Sequence, residues 1–98
     1  MSIDAACSAL RQRRVLELTY EGRGRSVEVH AVGYSKIGHP VMRVWQLSGQ
    51  TTVGEQPGWR LMRLDEVMDA ALSDEPSSAP RPGYKPGDPA LERIIWEL

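Results

Sequence analysis

Four short stretches of alternating apolar and polar residues, separated by turns rich in glycine, constrain the fold of this chain more than any other feature. They cover residues 15–20, 26–31, 41–47 and 59–64. Because successive side chains of a strand point to opposite faces, each stretch predicts a half-buried β-strand. Strands that follow one another through short turns pair antiparallel. The pattern therefore predicts a mainly β chain, folded as a small antiparallel barrel or a strongly curved sheet.

Glycines mark the connections between these strands. Residues 21–25 (Glu-Gly-Arg-Gly-Arg) predict a tight hairpin turn, and residues 35–40 predict the next turn. Residues 48–58 hold three of the chain's glycines and predict a long polar loop before the fourth strand.

An amphipathic helix is predicted ahead of the first strand. Ser2 is a favourable N-cap, and Asp4 lies in the first turn, where the helix dipole favours a negative charge. Apolar residues recur at i, i+3, i+4 and i+7 and form one stripe: Ile3, Ala6, Cys7 and Leu10. Three arginines crowd the expected end of the helix: Arg11, Arg13 and Arg14.

The last third of the chain has a different character. Residues 67–72 fit a helical stripe by propensity, while residues 76–89 hold five of the seven prolines and predict an extended segment. Asp88-Pro89 is a typical helix start, and we expect a short amphipathic helix over residues 90–98. This tail is expected to dock onto the body of the domain or onto a second chain, with Tyr84 pinning it in place.

Length and composition fit one domain without staples. The chain has 98 residues, 41% of them hydrophobic and 26% charged. We divide it into a β domain with its N-terminal helix (1–75), a Pro/Gly/Ser-rich extended segment (76–89) and a C-terminal helix (90–98). Neither a membrane span nor a signal peptide is expected. A single cysteine, Cys7, fits a reducing cytoplasm.

Charge is distributed unevenly along the chain. Residues 1–63 carry nine basic and five acidic side chains, whereas residues 64–98 carry three and eight. Ten of the twelve basic residues are arginine, whose planar fork suits phosphate, carboxylate and base edges. A genome rich in arginine codons would give the same composition without a binding role.

Taken together, these features resemble the WYL domain family. The motifs are a helix followed by Val-Leu-Glu-Leu-Thr-Tyr (15–20), a Gly/Arg turn, Arg-Ser-Val-Glu-Val-His (25–30), a strand with an aromatic residue, and Arg-Leu-Asp (63–65). The resemblance covers residues 3–73, and residues 81–88 are similar to the ends of short standalone members. It implies a small SH3-like (Sm-like) five-stranded barrel, with residues 68–72 as the closing strand. Such domains accompany DNA-binding domains in bacterial transcription regulators and sense a ligand, nucleotide or nucleic acid.

This sequence departs from the family pattern at two points. The Trp-Tyr-Leu triplet that names the family aligns with Pro40-Val41-Met42, and a tryptophan, Trp45, follows three residues later. The family's Arg-Leu-Asp-Arg motif reads Arg-Leu-Asp-Glu here, so its second basic position is lost at Glu66.

Three arginines and their aromatic and polar neighbours are the candidate ligand-binding residues. A guanidinium beside an aromatic plane can stack on a base and pair with phosphate. The predicted set is Tyr20, Arg25, Arg43, Trp45, Gln46 and Arg63. The alternative is that each arginine is a solvated strand residue paired with Glu17, Glu28 or Asp65.

Neither metal-ligand spacing nor a catalytic motif is present in the sequence. His30 and His39 have no His-x-His or Cys-x-x-Cys company, and Trp59 and Trp96 read as packing anchors. We therefore expect no catalytic residue, no metal, no cofactor and no enzymatic activity. The predicted function is a ligand-sensing, regulatory binding module for nucleotide or single-stranded nucleic acid. The alternative is a protein–protein interaction module that binds a partner, or a second copy, through the tail.

Overall fold

A computed structural model describes residues 1–47 and 56–98. These residues form one N-terminal helix and six antiparallel strands in one sheet, so the predicted mainly β class with an N-terminal helix is confirmed. Residues 48–55, most of the predicted long loop, lie outside the described residues. The elements are α1 (Ile3–Gln12), β1 (Arg14–Tyr20), β2 (Arg23–Tyr34), β3 (Pro40–Gln46), β4 (Gly58–Arg63), a 3₁₀ turn (Leu64–Glu66), β5 (Met68–Pro76) and β6 (Arg93–Glu97).

The N-terminal helix α1 begins and ends as its sequence predicts. The Ser2 hydroxyl accepts a hydrogen bond from the Ala5 N–H at 3.1 Å, which satisfies one of the free donors of the first turn. After Gln12, Arg13 adopts a left-handed conformation (φ 54°) and ends the helix. Within the described residues, no helix has the length and apolar character needed to cross a membrane.

The first hairpin follows from its turn residues. Tyr20 of β1 pairs with Arg23 of β2, which leaves Glu21 and Gly22 as a two-residue loop. Both have positive φ, 53° and 74°, and this combination matches the twist of the flanking strands. The tight hairpin predicted at residues 21–25 is therefore confirmed.

The long strand β2 organises the sheet. Its residues 23–27 pair with β1 and its residues 27–34 pair with β3. On the side of β2 that faces β1, the pairing with β1 ends at Val27. Strand β6 pairs with residues 31–34 of β2, beyond the part that β1 covers. The main strand order is β4-β3-β2-β1-β5. No pairing among the described residues joins β4 to β5, so the sheet is open and the predicted closed barrel is not confirmed.

The prediction of a C-terminal helix over residues 90–98 is wrong, because residues 93–97 form strand β6. The apolar stripe of this region is short, and a helix of nine residues gains little stability in isolation. Isoleucine and tryptophan suit a strand, and β2 offers unpaired backbone groups at its edge. Gly33 permits the close approach, since a side chain there would clash with the Arg93 carbonyl.

Residues 68–72 form part of strand β5, so the strand that the family resemblance implied is confirmed, although it does not close a barrel. The helical propensity of this stretch is overridden because β1 offers it a pairing edge, and register pairs run from Thr19–Met68 to Arg14–Pro76. The strand continues four residues past the predicted end. Its proline stands at the last position of an edge strand, where the missing N–H costs nothing.

Cross-strand pairs divide the side chains between two faces of the sheet. The helix face packs on α1 and holds the main core, which includes Leu16, Leu18, Val27, Val29, Met42, Val44 and Met62. The segment face carries Glu28, Ala31, Val41, Arg43, Trp45 and Trp59. Residues 77–92, which contain neither helix nor strand, cover the segment face between β5 and β6.

Candidate binding cleft between the sheet and residues 77–92

A proline–glycine turn presents residues 77–92 to the sheet. The Tyr84 N–H donates to the Arg81 carbonyl at 3.1 Å across Pro82-Gly83, and Gly83 has φ 91°. Proline second and a positive-φ glycine third define a type II turn. The turn places Arg81 and Tyr84 at its two ends, and both side chains contact β2.

The Glu28 carboxylate is the main anchor for this segment. Glu28 is 1% exposed, and its oxygens accept hydrogen bonds from Arg81 Nε at 2.6 Å, Arg81 Nη2 at 3.1 Å and the Ser78 N–H at 2.7 Å. The Arg81 guanidinium also lies 5.8 Å from the centroid of the Trp45 ring. A buried carboxylate is tolerated when such donors surround it. The Glu28 hydrogen bonds raise the pKa of Arg81, so the guanidinium stays ionised.

His30 is fully buried and binds the same segment through its neutral form. Its Nδ1 lies 2.9 Å from the Glu28 carbonyl, an acceptor, so Nδ1 carries the proton. Nε2 therefore accepts a hydrogen bond from the Arg81 N–H at 3.0 Å. The His30 carbonyl accepts from Tyr84 Oη at 3.2 Å and from the Leu98 N–H at 3.0 Å. Desolvation by burial lowers the pKa of His30.

Beside this anchor, the segment and the sheet enclose a cleft of about 280 Å³ with mostly apolar walls. It is lined by Arg43, Trp59, Gly83, Tyr84, Lys85, Asp88 and Pro89. The Trp59 ring is held edge-on by the rings of Trp45 at 5.2 Å and His30 at 4.7 Å between centroids. The Tyr84 and Trp59 rings lie 6.1 Å apart at 37°. The aromatic walls of the cleft are therefore preorganised.

The charged groups of the cleft differ in whether they have a partner. Arg43 Nε and Nη2 contact the two Asp88 carboxylate oxygens at 2.5 and 3.3 Å, and this pairing lowers the pKa of Asp88. Asp88 Oδ1 also accepts from the Ala90 N–H at 2.9 Å. Lys85, at the rim, is exposed and makes no hydrogen bond or ion pair with any described residue. The lysine gives the cleft a net positive charge.

Half of the predicted ligand-binding residues form a separate cluster on the helix face. Arg25 is buried, and its Nε donates to the Tyr20 carbonyl at 3.2 Å while its Nη1 donates to Gln46 Oε1 at 2.9 Å. Its guanidinium lies 5.6 Å from the Tyr20 ring centroid, and Nη2 lies 3.4 Å from a Glu21 carboxylate oxygen. The predicted proximity of Tyr20, Arg25 and Gln46 is confirmed, but the cluster braces the end of the sheet rather than facing solvent.

The other three predicted residues lie on the segment face, without forming one surface. Arg43 lines the cleft, and Trp45 lies behind Trp59. Arg63 is directed to solvent, where Nε and Nη2 contact the Asp65 carboxylate at 3.0 and 2.5 Å. The hydrogen bonds between the two side chains raise the pKa of Arg63 and lower that of Asp65. The six predicted residues therefore divide between the two faces of the sheet and do not form one patch.

Each of the three arginines contacts a carboxylate, but the pairing alternative raised by the sequence is correct in full only for Arg63, since Arg25 is buried and the partners of Arg25 and Arg43 differ from those predicted. Arg63 pairs with Asp65 as predicted. Arg25 pairs with Glu21 and Arg43 with Asp88, whereas Glu28 pairs with Arg81.

Sequence reasoning missed most of the cleft itself. Tyr84 was expected to pin the segment, and its hydrogen bond to the His30 carbonyl confirms that role. Trp59 is a packing anchor as predicted, but its ring also lines the cleft. Lys85 and Asp88 were not predicted to bind a ligand. The sequence indicates the position of Lys85 and Asp88 only through two Pro-Gly pairs, at 82–83 and 86–87, which predict turns in this segment.

Among the described residues, metal-ligating side chains are not clustered and the thiol is buried. The described residues contain no group of three or more His, Cys, Asp or Glu side chains that could hold a metal ion. Cys7 lies on the buried side of α1, and desolvation raises the pKa of its thiol, which disfavours the reactive thiolate.

Comparison with models of protein families, with curated proteins and with solved structures found no match. The resemblance to the WYL domain family therefore stays a prediction made from the motifs in the sequence.

Proposed function

We propose that this chain is a small ligand-binding module that takes a nucleotide through the aromatic cleft. The base lies against Trp59 and Tyr84, and the phosphate meets Lys85 at the rim. One observation carries the proposal: a preorganised aromatic cleft has at its mouth a cation that no described residue neutralises. Stacking of a base on an aromatic ring contributes about 1–3 kcal/mol.

The size of the cleft supports a ligand that is only partly enclosed. Small-molecule sites usually measure roughly 300–1,000 Å³. At about 280 Å³, the cleft has room for one planar ring and leaves a sugar and a phosphate outside. The same geometry admits one base of a short single strand, so single-stranded nucleic acid belongs to the same ligand class.

The charges in the cleft indicate how the two ends of such a ligand would be bound. Arg43 is neutralised by Asp88, so a phosphate would have to displace that carboxylate to reach it. Lys85 requires no displacement and is the better phosphate partner. Arg43 and Asp88 instead offer a donor and an acceptor to the edge of the base.

The resemblance to the WYL domain family points to the same class of ligand. A sheet that curls toward the SH3-like barrel of that family, and a cytoplasmic regulatory role, are parts of this proposal. Cys7, a lone buried thiol, fits a reducing compartment.

A titration followed by ¹H–¹⁵N NMR tests the proposal. Adenosine monophosphate, adenosine, inorganic phosphate and a short oligonucleotide are added separately to the full chain, up to millimolar concentration. We expect the monophosphate to shift the Trp59 indole N–H and the amides of residues 83–85. An absence of shifts in the cleft with both nucleotide and oligonucleotide would refute the proposal.

The two lysines of the chain provide a matched pair of variants. Lys85→Gln is expected to weaken the monophosphate about tenfold and leave adenosine unchanged, because it removes the phosphate contact alone. Lys36→Gln, in the exposed β2–β3 turn, should leave both affinities unchanged. Equal effects of the two substitutions would show that the phosphate responds to net charge and not to the cleft.

A further inference from the structure

We propose that His30 is a pH-sensitive latch, whose protonation releases residues 77–92 from the sheet while the helix-face core stays folded. The latch lies beside the cleft, and its operation does not depend on the identity of any ligand.

The hydrogen bonds of His30 require a neutral ring. Nδ1–H points to the Glu28 carbonyl, so the second proton must go to Nε2. Nε2 already accepts the Arg81 N–H at 3.0 Å. Protonation would place two N–H donors against each other in a site where the histidine is 0% exposed. The Arg81 backbone, and the turn that follows it, must then move away.

The charged groups around the ring leave the imidazolium without a free counterion. Glu28, from the same strand, has its carboxylate committed to Arg81 and Ser78. The Glu28 carbonyl and the Glu28 carboxylate favour a positive ring and the Arg81 cation opposes it, but desolvation by burial is the largest influence and lowers the pKa of His30. The rings of Tyr84 and of Trp59 from β4 also pack against the imidazole, and burial raises the pKa of Tyr84, so that it stays neutral. Glu97 of β6 has its carboxylate on the Gly87 N–H at 2.9 Å.

The burial pattern explains why the release is local. Among the described residues, the helix-face core contains fourteen buried residues from α1, the sheet and the connection at 64–67, whereas the buried cluster of the segment face consists of Ala31, Val41 and Leu91. Among those three, Leu91 alone comes from residues 77–92. A segment held by few apolar contacts and many hydrogen bonds opens at lower free energy than the main core.

The direction of the pH effect follows from the shift in pKa. Burial lowers the pKa of His30 in the docked state below the ordinary value of about 6.5. The neutral ring is therefore favoured by docking. The contribution of His30 is complete above pH of about 6.5 and is lost as the pH falls through its lower docked-state pKa.

A pH titration by NMR between pH 7.5 and 4.5 tests the latch on the full chain without added ligand. The His30 imidazole resonances report protonation, and amide shifts and hydrogen exchange report docking of residues 78–91. We expect these signals to change together with one midpoint below 6.5, while the amides of α1 keep their protection. A segment that stays docked after the imidazole has taken up its proton would overturn the proposal.

The two histidines give the matched variants. His30→Gln keeps an acceptor for the Arg81 N–H but cannot titrate, so the transition in residues 78–91 should disappear. His39→Gln, in the β2–β3 turn, should retain it. An unchanged transition in His30→Gln would assign the release to carboxylates and overturn the latch. If His30→Gln fails to fold, the wild-type titration decides, because separate midpoints for the imidazole and the segment would also refute it.

Discussion

The two faces of the sheet are stabilised by different interactions. The helix face is mostly apolar and packs on α1 with buried aliphatic and methionine side chains, and its polar cluster of Tyr20, Arg25 and Gln46 lies at one end of the sheet. The segment face has a small apolar cluster and is held by a buried carboxylate, a buried histidine and an arginine–aspartate pair. Apolar packing is insensitive to pH and direction, whereas these polar contacts depend on both.

This difference places apolar packing and polar, titratable contacts on opposite faces of one small sheet. The helix face is held closed mainly by apolar volume and burial. The segment face places aromatic rings, an arginine–aspartate pair and a lysine without a described partner around a cleft. The contacts that hold residues 77–92 to this face depend on the protonation state of His30, which a change of pH can alter. A covering segment that is held mainly by hydrogen bonds can open without loss of the fold.

The largest expected effect comes from comparing one leucine in each core. Leu10→Ala removes a side chain that is 2% exposed in α1, and we expect a loss of about 3–5 kcal/mol in the free energy of unfolding. Alanine favours helix, so the loss reports packing alone. Leu91→Ala should cost less and raise hydrogen exchange in residues 78–91 specifically. Urea denaturation and hydrogen exchange measure the two effects, and equal global losses would contradict the division between the faces.

The second prediction concerns the Glu28 carboxylate, the polar anchor of residues 77–92. In Glu28→Gln, the new amide group would face the Ser78 N–H and Arg81 Nη2, which are both donors. Hydrogen bonds to charged groups contribute about 1.5–3 kcal/mol each, and we expect a loss in this range with detachment of residues 77–92. Glu17→Gln, an exposed position on the same face, is the control and should be neutral. A fully protected segment in Glu28→Gln would show that apolar contacts suffice to hold it.

The structure of the helix face can be predicted from the sequence more fully than the structure of the segment face. Local patterns predict the first four strands and the first hairpin, because apolar and polar residues alternate in the strands and glycines mark the turns. β6 and residues 77–92 depend on which edge of β2 stays unpaired, and no local pattern contains that information. Residues 93–97 carry an apolar stripe that fits a helix as well as a strand, so tertiary pairing decides.

The candidate site follows the same rule. Tyr20 and Arg25 lie close because one hairpin joins them, and the alternation of neighbouring strands brings Gln46 to them. Arg43 and Asp88 are 45 residues apart in the chain, and their pairing depends on a turn and a covering segment that residue types alone do not place. Arg43, a predicted ligand-binding residue, does line the cleft, but three of the residues predicted to act with it, Tyr20, Arg25 and Gln46, lie on the opposite face of the sheet.

A smaller effect, on the order of 1 kcal/mol, is expected from the Arg43–Asp88 pair at acid pH. Hydrogen bonds from Arg43 lower the pKa of Asp88 in the folded state below its ordinary value of about 3.9. The stabilisation is therefore present above that value and is lost as the pH falls through the lower folded-state pKa. Asp88→Asn should flatten the fall in urea midpoint between pH 5 and 2.5. Asp74→Asn, whose carboxylate is fully exposed, should leave that fall unchanged, and equal curves for both variants would contradict the role of the pair.

The smallest expected effect distinguishes the cleft from a general arginine surface. Arg63 contacts Asp65 in solvent, outside the cleft, although the sequence favours it as a binding residue as strongly as Arg43. Arg63→Gln is expected to change neither the urea midpoint nor the affinity for adenosine monophosphate, since exposed pairs contribute little. Arg43→Gln, by contrast, should shift the Trp59 indole resonance and weaken nucleotide binding, because it frees Asp88 within the cleft. If Arg63→Gln weakened binding as much as Arg43→Gln, the ligand would span the edge of the segment face, and the cleft would be only part of its site.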